Sequence, residues 1–307
     1  MPCSEKTKLG RALPAFIILV LVWGSMPLFL KHFTDFLDAW TVNGVRYTVA
    51  VLFWLPFVLR YYRTSIRGTG ILRAAIPPAL FHAGGQVTWA LSPYYNDASV
   101  MHFIARTSFL FVMLFGFILL VEERVLMRKP LFWAGAAGTV AGVIFMYVGG
   151  VETGSTTPLG LVLLLTTAAF WALYGIAVRR CLQAYSARLS FGVISLYTVP
   201  MLWLLMFAVG DWRALAEVGA VDWGFLIFTG LGGIALGHVM LYTVIRHLGP
   251  IITDGTFQLI PFLTALGAWF FLGEHMSSLQ WMGGVLLVAA AYAFLVTRHE
   301  YPPPVGG

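Results

Sequence analysis

The sequence predicts an all-α integral membrane protein in which ten transmembrane helices form two inverted five-helix repeats. Hydrophobic residues make up 59% of the 307 residues and charged residues only 10%, whereas a soluble domain carries roughly 25% charged residues. Apolar runs of helix length follow one another with short connections. Landmark residues also recur in the same order in both halves of the chain.

Ten apolar runs are long enough to cross a ~30 Å hydrocarbon layer, since an α-helix rises ~1.5 Å per residue. The first run follows three basic residues, as in a signal peptide, but it continues to Leu30 without a cleavage site and is predicted to be a permanent span. Pro250 suits the first turn of the ninth helix. The predicted spans are 12–30, 40–59, 72–91, 97–121, 131–149, 158–178, 187–209, 221–243, 250–272 and 278–296.

The distribution of Lys and Arg predicts that the N- and C-termini are both cytoplasmic. With the N-terminus inside, fifteen of the 19 Lys and Arg residues fall in the inner segments. The outer segments hold only Lys31 and Arg213, while Arg46 and Arg106 lie within spans. Basic short loops stay on the cytoplasmic side, so we expect a multi-pass protein of the inner (plasma) membrane. The net charge of +6 follows from this topology and requires no nucleic-acid partner.

The repeat becomes visible when the chain is laid over itself. A displacement of 152 residues places Glu122 over Glu274, and one of 148 residues places Trp23 over Trp171. Because each half has an odd number of helices, the second half enters the membrane in the opposite orientation. The predicted division is residues 1–150 and residues 151–307, the second part including a short cytoplasmic tail. Inverted repeats are typical of alternating-access transporters, whose substrate site lies near the midplane between the halves.

Other functional classes find little support in the residues. Cys3 and Cys181 are too few and too far apart for a disulfide framework or a metal site. The sequence contains no zinc-protease motif, acidic phosphotransferase motif or catalytic carboxylate pair, so we expect no enzyme activity, no cofactor and no metal. A channel would require a filter sequence or rings of like charge, and neither is present.

The end of the second half, GPIITDGTFQLIPFLTALGAWF followed by FLGEHMSSLQWMGGVLLVAAAYAF, resembles an EamA-type repeat of the drug/metabolite transporter superfamily. The first half resembles it in LLVEERVLMRKPLFWAGAAG, although a few extra residues precede the glycine, and Ser108 and Phe109 stand where the second half has Pro261. The resemblance covers both halves and implies a ten-helix secondary transporter of metabolites, amino acids or drugs. It also implies a central cavity lined mainly by helices one, three, four, six, eight and nine. The proton-coupling route of small multidrug pumps is excluded, since the first predicted helix has no acidic residue.

Polar residues within the predicted spans are the candidates for substrate binding, because an ionisable side chain in hydrocarbon costs at least ~2.5 kcal/mol and usually faces a cavity. Four sets from different helices could surround one cavity: His102 with Arg106, their repeat equivalents Asp254 with Gln258, His82 with Gln86, and His238 as the equivalent of Gln86. His82 and His238 can instead bond to a neighbouring helix, and Asp254 can cap a helix or contact the membrane interface.

Arg106 and two tryptophans carry the most specific predictions. Arg106 lies too deep in its span for easy snorkelling and can hold a carboxylate or phosphate with its planar fork. The alternative is a structural pair with a protein carboxylate or with helix carbonyls. Arg46 lies nearer the outer end of its helix, where a structural or gating role is expected. Trp23 and Trp171 occupy equivalent central positions and can either line a cavity or pack between helices.

These residues predict a secondary transporter that moves a small metabolite, an amino acid or a related organic anion or zwitterion, by alternating access between the repeats. Export is the expected direction. The partners are the small-molecule substrate and the lipid bilayer, and a homodimer is left open. The alternatives are an exporter of apolar or cationic drugs that relies on Trp23 and Trp171, and a channel. The coupling ion is also open, since exchange is as compatible with the sequence as proton coupling.

Overall fold

The computed structural model describes residues 3–119, 128–248, 257 and 260–300. Within these ranges the chain is helical, and its β contact is an isolated bridge between Asn96 and Thr156. Seven helical segments of the described chain are long and apolar enough to cross a membrane, and two shorter apolar helices follow them. The predicted class, an all-α multi-pass membrane protein, is confirmed.

The helix ends follow from local sequence. Asp38, Thr157 and Ser186 each accept a hydrogen bond from a first-turn amide and so cap a helix. A π-helical segment, Thr229–Leu236, joins two of the helices without a break. In chain order the helices are α1 (Cys3–Phe33), α2 (Ala39–Tyr61), α3 (Ile71–Ala74), α4 (Ile76–Leu91), α5 (Ala98–Ala105), α6 (Ser108–Leu119), α7 (Pro130–Thr153), α8 (Pro158–Leu182), α9 (Ala187–Val209), α10 (Ala220–Phe228), α11 (Gly237–Leu248), α12 (Ile260–Leu272) and α13 (Ser278–Glu300).

The predicted fourth span is divided into α5 and α6, although it contains no proline. The carbonyl oxygen of Ile104 accepts the Thr107 backbone N–H at 3.0 Å and the Thr107 hydroxyl at 2.8 Å. In a continuous α-helix that carbonyl would accept the N–H of Ser108. Thr107 therefore competes for the helix hydrogen bond and ends α5, an effect known for threonine hydroxyls within helices.

Helices α7 and α13 pack along a seam of small residues. A Cβ atom added to Gly138 would lie 3.2 Å from Ala290, and one added to Gly142 would lie 2.8 Å from Leu287 and 2.9 Å from the Gly283 carbonyl oxygen. The contacts move backward along α13 as they move forward along α7, so the two helices are antiparallel. The glycines therefore allow close packing of the helices, as their spacing predicts.

A group of charged and polar side chains closes one end of the bundle. The Glu274 carboxylate, in the connection between α12 and α13, accepts the backbone N–H groups of Ala98 at 3.0 Å and Ser99 at 2.8 Å. It thereby caps the N-terminus of α5, where a negative charge is favourable. At the end of α1, the Lys31 ammonium lies 3.5 Å from the Asp97 carboxylate. These contacts connect α1, α5 and the α12–α13 connection.

Two further contacts join the loops at the same end. The Thr156 hydroxyl donates a hydrogen bond to the Asn96 side-chain oxygen, and the Asp97 backbone N–H donates to the Ser155 carbonyl oxygen at 2.8 Å. The Asn96 carbonyl oxygen also accepts from the Lys31 ammonium. We call Lys31, Asn96, Asp97, Thr156 and Glu274 the end cluster.

Candidate functional site

A cavity lies between helices from both halves of the chain, with about 910 Å³ of non-atom space that includes its open part. Its walls are mostly apolar with a few polar groups, which is typical of sites for small organic molecules. None of the described lining residues is a carboxylate. The lining residues are Trp23, Met26, Arg46, Gln86, Trp89, His102, Arg106, Ser108, Val112, Trp171, Ala172, Tyr174, Gly175, Gly233, Ile234, His238, Leu241, Ile245 and Phe257.

The structure brings together most of the residues that the sequence nominates. Those that line the cavity are Trp23, Gln86, His102, Arg106, Trp171 and His238. His82 is fully buried behind the cavity wall, where its ring packs against His238 at a centroid distance of 4.7 Å. Asp254 and Gln258 lie outside the described residues.

Arg106, at the C-terminal end of α5, lies beside an aromatic wall. It is 4% exposed, and its guanidinium carbon lies 5.7 Å from the centre of the Trp171 ring, a cation–π distance. The Trp171 ring packs against Trp89 at 4.9 Å, and Trp89 stacks on His102 at 5.2 Å. The break after α5 thus places a cation and three flat rings side by side.

His102 is held by a neighbouring helix. Its Nδ1 atom lies 2.7 Å from the Thr264 hydroxyl on α12. That hydroxyl donates to the Gly24 carbonyl oxygen at 2.8 Å, so it accepts from the imidazole. This chain of hydrogen bonds connects α5, α12 and α1 at the cavity wall.

Arg46 is a cavity residue that the sequence analysis did not select for substrate binding. It lies in the first half of α2, as predicted, but it is 3% exposed and lines the cavity, where a structural or gating role was expected. Its Nε atom donates to the Thr229 hydroxyl at 3.1 Å, and Nη2 lies 3.8 Å from the Met26 sulfur. Nη1 has no hydrogen-bond partner within the described part of the chain. The sequence NGVRYTVA could have indicated an arginine without a described counter-ion, because no acidic residue lies within one helical turn of Arg46.

The π-helical segment Thr229–Leu236 provides most of the contacts that hold the other side of the cavity. The Trp23 indole N–H donates to the Gly233 carbonyl oxygen at 2.9 Å, and the Trp54 indole N–H donates to the Ala235 carbonyl oxygen at 3.0 Å. A Cβ atom on Gly233 would lie 2.4 Å from the sulfur of Met26, so a larger residue here would displace the Met26 side chain. π-Helical turns are rare and frequently occur at functional sites.

Behind the cavity lies a buried cluster of histidine and tyrosine side chains. Tyr47 and His82 are joined by a 2.8 Å hydrogen bond between the hydroxyl and Nε2. The His82 ring stacks on Tyr174 at 4.5 Å, and the Tyr174 and Tyr242 hydroxyl groups are hydrogen-bonded to each other. The Nδ1 atom of His82 has no hydrogen-bond partner among the described residues. Of this cluster, Tyr174 also lines the cavity.

Comparison with known proteins identifies the family. The sequence profile of the EamA-like transporter family matches residues 10–148 and again residues 158–296. The chain belongs to the EamA-like transporter family. The predicted resemblance to the drug/metabolite transporter superfamily is therefore confirmed, and the protein is a membrane transporter with two EamA repeats. Members of this family are transporters rather than typical enzymes.

Comparison with solved structures shows a shared fold. A solved structure titled "Crystal structure of protein" is similar to this EamA-like chain with a TM-score of 0.67 at 17% sequence identity. The similarity covers 94% of this chain and 99% of that chain. At this level of identity the likeness shows a shared fold alone. No curated protein matches the chain.

Proposed function

We propose that this EamA-like transporter moves a small organic anion or zwitterion, such as an amino acid or a related carboxylate, through the central cavity by alternating access. The observation that carries the proposal is Arg46, a buried guanidinium in the cavity wall whose described hydrogen-bond partners are all uncharged. The ion pairs within the described residues are Lys31 with Asp97 and His32 with Asp222, and both lie away from the cavity.

The energetics of burial favour an anionic ligand. A cation inside a protein is costly unless an opposite charge and further hydrogen bonds compensate for its lost hydration. A substrate carboxylate could accept a hydrogen bond from Nη1 of Arg46 and match its charge, in the manner typical of arginine. A hydrogen bond to a charged group contributes about 1.5–3 kcal/mol, which corresponds to roughly ten- to a hundredfold in affinity.

The aromatic walls suit the apolar part of such a substrate. Trp23, Trp89 and Trp171 all line the cavity and could pack against an aliphatic or aromatic group. The same tryptophans favour the second candidate, a transporter of apolar or cationic compounds, since a cation can lie over an indole ring. Arg46 argues against the cationic version, because like charges repel strongly in a cavity of low polarity.

The packing of the helices supports the inverted arrangement of two five-helix repeats. The observed contacts pair α2 with α9, α7 with α13, and α5 with α12, each helix with the one that holds the same place in the other half. The pair α4 with α8 likewise corresponds to the pair α11 with α1. We infer ten transmembrane helices in two repeats, which are divided near residue 150. We also infer that the protein lies in the inner membrane with both termini in the cytoplasm.

In this proposed topology the end cluster lies on the outer side, and its contacts between loops support a state closed toward the outside. A continuous channel is not favoured by such a closed end. Net export is the direction we expect when the substrate is more concentrated in the cytoplasm. Cysteines placed in the Glu152 or Glu274 loops, at Glu152 or at the exposed His275, should react with an impermeant thiol reagent from outside, and those substituted for Arg63 or Arg180 should not. The reverse labelling would overturn the topology.

Transport is tested with the purified protein in liposomes and three labelled probes that share a phenyl ring: benzenesulfonate, L-phenylalanine and benzyltrimethylammonium. These are a permanent anion, a zwitterion and a permanent cation. We expect protein-dependent counterflow of the anion, the zwitterion or both, and none of the cation. Arg46→Gln should reduce this uptake, whereas Arg213→Gln, at an exposed arginine outside the cavity, should not. Uptake of the cation alone, or equal uptake by both variants, would overturn the proposal.

A further inference from the structure

His238 has no role in the proposed function, yet it shares the cavity with Arg46. We propose that His238 binds a proton together with the substrate anion, so that the two are carried as a pair. The inference rests on the proposed function, since it requires that an anion binds in this cavity. Four observations support it, and they concern the ring nitrogens, the surrounding rings, the neighbouring charges and the shared helical segment.

The hydrogen bonding of His238 fixes which nitrogen can take up a proton. Its Nδ1 atom lies 2.9 Å from the Ile234 carbonyl oxygen. A carbonyl can only accept, so Nδ1 carries the hydrogen in the neutral ring and Nε2 holds the lone pair. His238 lines the cavity and is 6% exposed. Nε2 is therefore the proton acceptor of this ring.

Aromatic side chains surround the His238 ring and would stabilise it as a cation. The Phe191 ring stacks on it with a centroid distance of 4.9 Å and an angle of 10° between the planes. The Trp23 ring lies 5.7 Å away at 63°. A cation within about 6 Å of an aromatic ring is attracted by the ring's electron distribution.

No carboxylate is found among the described ionisable groups near His238. Phe191 on α9 and Trp23 on α1 carry no ionisable group in the physiological range. The neighbouring helices contribute Arg46 and Tyr47 from α2, His82 from α4 and Tyr174 from α8. The helix of His238, α11, also contributes Tyr242. Arg46 is the permanent charge among them. Without an anion, its charge opposes a second cation on His238.

Both groups are attached to the same π-helical segment, Thr229–Leu236. Arg46 donates to the Thr229 hydroxyl, and His238 donates to the Ile234 carbonyl oxygen. An anion bound at Arg46 would cancel the repulsion that opposes the proton. The proton would in turn strengthen binding of the anion by the same factor, because coupling between two binding sites is reciprocal.

The chemical step is a simple proton transfer. A proton from water adds to the Nε2 lone pair as the anion binds and returns to water when the anion leaves. No bond to carbon changes. A monovalent anion and one proton form a cargo without net charge, so each transport step would move no net charge across the membrane. The direction of net transport then depends on the sum of the anion and proton gradients.

Isothermal titration calorimetry with benzenesulfonate tests the proposal on the purified full chain. This anion carries no ionisable proton near neutral pH, so any proton taken up on binding is bound by the protein. Titrations in two buffers with different heats of ionisation give the number of protons. We expect uptake of up to about one proton per anion, and an affinity that falls about tenfold per pH unit where free protein and complex differ by one proton.

Variants assign the proton to a residue. His238→Asn keeps a side-chain N–H close to the position of Nδ1 but cannot be protonated, so it should bind benzenesulfonate without proton uptake and with an affinity independent of pH. The control is His275→Asn, which replaces an exposed histidine outside the cavity and should retain both the binding and the proton uptake. Thermal unfolding of both variants checks that they are folded.

The outcomes separate this inference from the proposed function. Binding by the wild-type protein without proton uptake would overturn the proton proposal and leave the anion transporter intact. Proton uptake that persists in His238→Asn, or that is lost in His275→Asn instead, would overturn the assignment to His238. Absence of benzenesulfonate binding at every pH would overturn the anion site and the proton proposal together.

Discussion

The end cluster and the central cavity both contain buried or half-buried polar side chains, but they differ in how those groups are satisfied. In the end cluster the Glu274 carboxylate accepts two backbone N–H groups and Lys31 is paired with Asp97. In the cavity, Arg46 has no described carboxylate beside it, and its Nη1 has no described hydrogen-bond partner. The first region is a satisfied structural contact, whereas the second offers the charge that the proposed anion would pair with.

Composition alone does not identify the functional region of this protein. Charged residues occur in both places, and the acidic residues of the end cluster are the more conspicuous in the sequence. What distinguishes the cavity is the buried charge of Arg46, whose Nη1 has no described hydrogen-bond partner, and such a charge is costly inside a protein unless an anion binds there. Three substitutions test the structural side of this comparison, from the largest expected effect to the smallest.

The largest effect should come from Gly283→Val in the seam between α7 and α13. This seam belongs to neither region, so the variant shows the size of a purely structural defect. A Cβ atom there would lie 2.7 Å from the Gly142 carbonyl oxygen and 2.8 Å from the Met146 backbone nitrogen. Backbone atoms cannot move aside cheaply, so we expect a loss of at least about 1–3 kcal/mol in stability and a reduced folded yield. Size-exclusion chromatography and thermal unfolding measure both.

The control is Gly224→Val on α10, where an added Cβ atom would meet no other atom within 4 Å. It should fold with nearly normal yield. A normal yield for Gly283→Val, with altered selectivity for substrates, would show instead that this glycine borders the transport path.

An intermediate effect should follow Glu274→Gln in the end cluster. The amide cannot supply the negative charge that now accepts the N–H groups of Ala98 and Ser99. Loss of this charged helix cap should lower the free energy of unfolding by about 1–2 kcal/mol. Glu152→Gln, at an exposed glutamate, should change it by less than about 0.5 kcal/mol. Equal melting temperatures for the two variants would show that the Glu274 contact does not stabilise the fold.

The smallest effect concerns the pH dependence of the end cluster. Burial, and then the nearby Glu274 charge, raise the pKa of Asp97 above its ordinary value of 3.8, while Lys31 opposes the shift. The folded state thus binds more protons than the unfolded state between 3.8 and the raised pKa, so stability falls as pH rises through this range.

Asp97→Asn removes this titration. Its stability relative to the wild-type protein should therefore increase as pH rises from about 4. The difference should stay below about 1 kcal/mol, because the pair of Asp97 with Lys31 is partly exposed. Thermal unfolding at several pH values measures it. A relative stability that decreases with rising pH would show that the Lys31 pair outweighs burial and the Glu274 charge.

Much of the fold could be predicted because hydrophobicity determines which segments enter a membrane. The bounds of α2 and α9 agree with the predicted spans to within a few residues. The end of α1 agrees as well, but α1 begins nine residues earlier than predicted. The division after α5 could not be predicted, since it depends on the competition of the Thr107 hydroxyl for one carbonyl oxygen. The π-helical segment Thr229–Leu236 also escaped prediction, because its stability depends on donors from other helices.

The candidate site could be predicted in part, for a similar reason. Polar residues deep in a span point to a cavity, and this criterion selects Arg106, His102 and His238. It missed Arg46, because position along a helix does not reveal which neighbours lie around it. The repeat alignment identified Glu274 only as a landmark residue, although its carboxylate caps a helix from the other half of the chain.

The most direct test of the difference between the two regions measures thermal unfolding and benzenesulfonate affinity side by side for Arg46→Gln and Glu274→Gln. We expect Arg46→Gln to lower the affinity by roughly ten- to a hundredfold. Its melting temperature should stay equal or rise, since a buried charge without a described counter-ion has been removed. Glu274→Gln should show the opposite pattern, with a lower melting temperature and a binding site that is chemically unchanged. A lower melting temperature for Arg46→Gln with undiminished affinity would contradict the assignment of Arg46 as the anion site.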